Sequence, residues 1–137
     1  MKRYGLIYIT TLIAFGAIDS VWLGLFAAPL YKKTLGPVML EQFRVGPAII
    51  FYLLQIVGMM VFVVPRAPGA ESLGRVALFG ALYGLFTYAT FDLTNYAVLR
   101  PWTFFLAWTD IAWGCVLSAS AAAIGVWGEE YLAKLLG

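Results

Sequence analysis

Three of the seven acidic residues in this 137-residue chain, Asp19, Asp92 and Asp110, stand in stretches that are otherwise almost wholly apolar. Asp110 is the extreme case: in "LAWTDIAWG" it is the one charge between Trp102 and Gly128. Holding a carboxylate in hydrocarbon costs about 2.5–3.5 kcal/mol, and no Lys or Arg falls within the same stretches to offset it. Each acid must therefore be protonated, share a proton, bind a cation or reach water. These are the requirements of a site that handles protons, cations or polar head groups.

Other polar and aromatic side chains fall at helical spacing around the acids. Tyr88, Asp92, Asn95 and Tyr96 share one helix face, flanked by Thr87 and Thr94, because residues three or four apart are neighbours. Asp-x-x-Trp occurs twice, as Asp19 with Trp22 and Asp110 with Trp113. The candidate ligand-binding or ion-binding set is Asp19, Asp92, Asp110, Asn95, Gln55, Tyr88, Trp22 and Trp113. Within it, Gln55 and Asn95 also suit hydrogen-bonding glue between helices, worth about 0.6 kcal/mol each. The absence of His and the presence of one cysteine, Cys115, exclude an intrachain disulfide, thiolate clusters and His-ligated haem, zinc or copper. A metal would have to be a hard, oxygen-ligated ion; none is assigned, and no cofactor is named.

The elements that position these residues are membrane spans. Hydrophobic residues make up 63% of the chain and charged ones 12%, far from the roughly 25% charged of a soluble domain. A spanning helix needs about 20 mostly apolar residues, and four runs qualify, at about 4–30, 46–64, 76–99 and 103–127. The reading is an all-α, four-helix transmembrane bundle forming one domain over 1–137, with a short amphipathic C-terminal helix in "GEEYLAKLLG". Gly46-Pro47 suits the first turn of a helix, and Pro65, Pro68, Gly69 and Gly74 punctuate a turn. Arg100-Pro101 alone separates the last two spans, which makes them a tight hairpin. The first apolar run outlasts the 7–15-residue core of a signal peptide, so it reads as a span.

Four spans place both termini on one side. Lys2, Arg3, Arg66, Arg75 and Lys134 lie on that side, against Lys32, Lys33, Arg44 and Arg100 on the other. The leading Met-Lys-Arg orients the termini toward the cytoplasm, since the first helix usually dominates. Counting inward at about 1.5 Å per residue then puts Asp110, Asp92, Gln55 and Asp19 all about 12–15 Å from the outer ends of their helices. Every span delivers one strongly polar side chain to the same outer-half layer. Small residues recur at helical spacing as Gly16, Ser20, Gly24 and Ala28, as Gly80 and Gly84, and as Gly114, Ser118, Ala122 and Gly125. Such rows let helices approach closely in lipid, and Tyr31, Trp102 and Trp127 read as interfacial belt residues.

Four segments, "DSVWLG", "YKKTLG", "YATFDLTN" and "TDIAWG", give the chain nearly full-length resemblance to a family of small bacterial four-helix membrane proteins catalogued as a domain of unknown function. The resemblance implies the fold and a bacterial inner-membrane, multi-pass location. It carries no catalytic residue over.

Three functional classes follow. In the first, the carboxylates form a site that binds or transports protons, a cation or a small polar or lipid head group; four helices enclose only a narrow pore, which favours a homo-oligomer. In the second, the chain is an accessory subunit that docks on other membrane subunits through its small-residue rows. In the third, it is a membrane-embedded enzyme acting on a lipid or isoprenoid, with a buried acid as proton donor and aromatic faces beside a developing cation. The lack of a nucleophile–base pair or Gly-rich phosphate loop argues against familiar enzymes. The basic residues form no stripe along which nucleic acid could bind, so the lipid bilayer is the first partner. Reporter fusions at Lys33 and Gly137 should read opposite sides of the membrane; matching readings would overturn the four-span topology.

Overall fold

In hydrocarbon a backbone amide has no water to bond, so an apolar stretch must close its hydrogen bonds within itself as a helix. The computed structural model describes residues 2–66 and 72–136, and among these all the regular structure is helical. Helix α1 (Lys2–Trp22) runs through a π turn (Leu23–Ala27) into α2 (Ala28–Leu35). Three further helices follow: α3 (Val45–Phe62), α4 (Leu73–Val98) and α5 (Phe104–Leu136). Four helical segments, Lys2–Val38, Val45–Arg66, Leu73–Val98 and Phe104–Leu136, are long and apolar enough to cross a membrane.

Two boundaries differ from the sequence reading. The first span continues beyond Leu30, so "YKKTLG" lies mostly on α2 and Lys32 and Lys33 are helical. Pro29 would ordinarily break a helix by its missing N–H and its clash with the preceding turn. Here the π turn takes up the mismatch, with the Ala28 N–H bonded to the Leu23 carbonyl, and Pro29 falls in the first turn of α2 where no donor is needed. At the other end the amphipathic tail is helical, but it forms the unbroken end of α5. Its Glu129 is buried and lies 3.5 Å from Arg3, tying the two terminal segments together. Pro68, Gly69 and Gly137 lie outside the described residues.

The hairpin at Arg100-Pro101 is as tight as its sequence predicts: the Trp102 N–H reaches the Leu99 carbonyl at 3.1 Å. Thr103 begins α5 by accepting a hydrogen bond from the Leu106 N–H at 3.1 Å. Helix α5 is the central element, with α4 on one side and α1 on the other. The α4–α5 seam is made by missing side chains. A Cβ at Gly80 would stand 2.7 Å from the Ser118 carbonyl oxygen, one at Gly84 would strike the Gly114 carbonyl, and one at Gly114 would strike the Tyr88 ring. On the α1 side, Gly125 receives Thr11, and the Thr10 hydroxyl donates to the Gly125 carbonyl at 2.8 Å.

The row on the first span behaves differently. Gly16 and Gly24 have open space where a Cβ would go, and Ser20 and Ala28 are exposed. The packed face of α1 is instead Ile7, Thr11, Phe15 and Asp19, one residue and thus about 100° around the helix from the Gly row. Asp19 points inward because it continues this bulky face. In the same way Asp92 continues Val76, Gly80 and Gly84 on α4, and Asp110 precedes Gly114 and Ser118 on α5.

Gly84→Leu should therefore cost the bundle about 1–3 kcal/mol through overpacking, and Gly24→Leu nearly nothing. Thermal unfolding of both variants in detergent distinguishes the two faces, and equal melting temperatures would refute the assigned seam.

Candidate functional site

The packed faces converge on a cavity of about 520 Å³ in the half of the bundle away from the termini, a size ordinary for small-molecule sites. Helix α1 and its π turn supply Asp19, Trp22 and Leu23; α2 supplies Tyr31; α3 supplies Phe51 and Tyr52; α4 supplies Thr87, Tyr88 and Phe91; and α5 supplies Asp110 and Trp113. No lining residue is a lysine or an arginine.

Asp19 is the best-satisfied acid. Its carboxyl accepts a hydrogen bond from the Tyr52 hydroxyl at 2.5 Å and another from the Trp113 indole N–H at 2.9 Å. These two donors join α1 to α3 and to α5, so the acid is also a three-helix tie. The Trp113 ring stacks on Trp22 at 4.5 Å with planes 8° apart, and both indoles line the cavity. The repeated Asp-x-x-Trp spacing thus places both tryptophans against each other and hands one acid the indole of the other pair.

Asp110 faces the same cavity, with Tyr31 beside it. Asp92 adjoins Asp110 but does not line the cavity; it is wholly buried, and neither of its carboxyl oxygens has a hydrogen-bond partner. Trp102, read from sequence as an interfacial belt residue, is buried beside Asp92 and meets Phe91 edge-on at 5.5 Å. Tyr31, which the sequence places in the same belt, is a cavity wall, because the first helix continues past Pro29. Trp127 is 54% exposed, as a belt residue would be.

Of the eight candidates, Asp19, Trp22, Tyr88, Asp110 and Trp113 line one cavity. Asp92 stands behind Asp110, while Gln55 and Asn95 are outside the lining. Gln55 is buried one turn beyond Tyr52 with its amide nitrogen unpartnered, and Asn95 is half-buried one turn beyond Asp92. The sequence reading does not single out Leu23, Phe51, Tyr52 or Phe91; the spacing of three between Tyr52 and Gln55 is the available sign for Tyr52, and nothing marks the others. Among the described residues, no group of three or more His, Cys, Asp or Glu side chains is placed to hold a metal ion.

A family model described as "Predicted membrane protein (DUF2177)" matches residues 4–127, nearly the whole chain. The chain belongs to this family. No match was found among curated proteins or solved structures. The DUF2177 match establishes a membrane protein of the expected kind and attaches no activity to it, so the chemistry of this DUF2177 member rests on its cavity. That chemistry is one-sided. Carboxyl groups and the aromatic side chains of Trp22, Trp113, Tyr52 and Tyr88 surround the space, and no basic side chain lines it.

Removing the Tyr52 hydroxyl in Tyr52→Phe should cost about 1–3 kcal/mol by leaving Asp19 short of a donor. The loss should shrink in an Asp19→Asn background. A double-mutant cycle of unfolding in detergent measures it, and additive effects would show that the bond carries no coupling.

Proposed function

We propose that the protein is a membrane-embedded binding protein for a cationic group, which it holds between Asp19 and Asp110 in the outer half of the bundle. The observation that carries this reading is the pairing of two carboxyl groups on one aromatic-walled cavity with no basic side chain in its lining. A cation supplies what the acids lack. It neutralises carboxylate charge where hydrocarbon makes that charge costly, and aromatic faces add about 2 kcal/mol or more to a desolvated cation. An organic cation such as an alkylammonium suits this site better than a metal ion, since most of the lining side chains are aromatic and few offer oxygen. Asp19, anchored by Tyr52 and Trp113, acts as the fixed anion. Asp110, with Asp92 behind it, completes the negative side.

Tetramethylammonium is the simplest probe. Titrated into the purified protein in lipid nanodiscs and followed by tryptophan fluorescence, it should bind saturably, because Trp22 and Trp113 line the cavity. Asp19→Asn and Asp110→Asn should each weaken binding about tenfold or more, the equivalent of 1.4 kcal/mol. Binding unaffected by either substitution would move the site elsewhere, and no saturable binding would refute the reading.

A further inference from the structure

Toward the end of the bundle the cavity is backed by an apolar cluster. Beyond the aspartates, Leu35, Trp102, Leu106 and Ala107 are buried together, with Leu30 and Tyr31 packed against them. This cluster joins α2 to the start of α5 as an apolar plug on the route to water. The lateral wall between α3 and α4 is built differently. These helices meet near the Val64–Arg66 turn, where Gly58 lies under the Tyr83 hydroxyl and Phe62 stacks on Tyr83 at 6.3 Å. At the level of the aspartates, the two helices contribute Phe51 and Phe91 to the cavity, and these residues are 44% and 54% exposed. Both lie inside membrane spans, so the medium they meet is hydrocarbon. Asp19 and Asp110 stand on the other wall, on α1 and α5.

Polarity is therefore graded, with carboxyl groups deep and phenylalanines at the mouth. A small cation arriving from water would have to pass the apolar plug. A molecule already in the bilayer, with its charge on one end and hydrocarbon on the other, matches the gradient without crossing it. We infer that the ligand is a cationic amphiphile that enters sideways between α3 and α4, its charged head against Asp19 and Asp110 and its apolar chain between Phe51 and Phe91. This rests on the cation-binding reading above and adds the ligand class and the route.

The test is a series of probes of equal charge and growing chain: tetramethylammonium, then butyl-, hexyl- and octyltrimethylammonium, each titrated into the protein in nanodiscs. Asp19→Asn nanodiscs serve as the control for partition into lipid. Specific affinity, referred to the free probe in water, should rise about fourfold per added methylene until the apolar space is filled. Replacing both phenylalanines, Phe51→Ser with Phe91→Ser, should flatten that rise, and an unchanged helical circular-dichroism spectrum and melting temperature in detergent show that the variant is folded. If tetramethylammonium binds but affinity is flat or falls with chain length, the amphiphile and the lateral route are wrong while cation binding stands. If the slope survives in the double variant, the chain lies elsewhere and the route is wrong. If no probe binds specifically, the cation-binding reading itself fails.

Discussion

A carboxyl group in the hydrocarbon layer, with no base inside the spans to meet it, must be taken in by the protein around it. That requirement organises this bundle. Asp19 is met by a phenol from α3 and an indole from α5, so the three helices are held at one level by a single side chain. Asp92 and Asp110 stand beside each other, with Trp102 next to the first and Tyr31 next to the second. The aromatic side chains serve twice: their rings fill space as apolar matter does, and their O–H and N–H groups are the donors that hydrocarbon cannot supply.

Backbone proximity determines where space is left over. Helices α4 and α5 touch along Gly80, Gly84 and Gly114, so little room remains in their seam, and the Tyr88 ring is laid across Gly114 toward the cavity. Helix α3 has no such row facing α4; it packs on α1 through the edge-on contact of Tyr52 with Phe15 at 5.7 Å and reaches α4 near its own C-terminal end. A bundle with one tight seam and one splayed pair encloses a wedge of space. The acids lie on its narrow side and the phenylalanines on its wide side.

The π turn connects these two facts. Without it Pro29 would end the first helix near the level of Trp22, and Tyr31 would emerge at the membrane surface. The extra residue in the turn allows α2 to continue, to place Tyr31 beside Asp110, and to bury Leu35 against Trp102 and Leu106. A local change in hydrogen-bond register thus both completes a wall and plugs the end of the bundle.

Composition and spacing by themselves determined the class of the protein, its four apolar helices and the tight hairpin. Each follows from a local cost: apolar length sets a span, and Arg100-Pro101 ends a helix. The small residues of α4 and α5 were legible as a seam for the same reason. Which helix faces meet is a relation between elements, and here tertiary structure decided. The row of Gly16, Ser20 and Gly24 has the same local appearance as the row in α5, yet the bulky face one residue away is the one that packs, because Phe15 and Asp19 find partners on α3 and α5. Likewise nothing local separates Tyr31 and Trp102 from Trp127. A π turn and a hairpin brought the first two inward, and the donors that satisfy Asp19 came from residues 33 and 94 positions away in the chain.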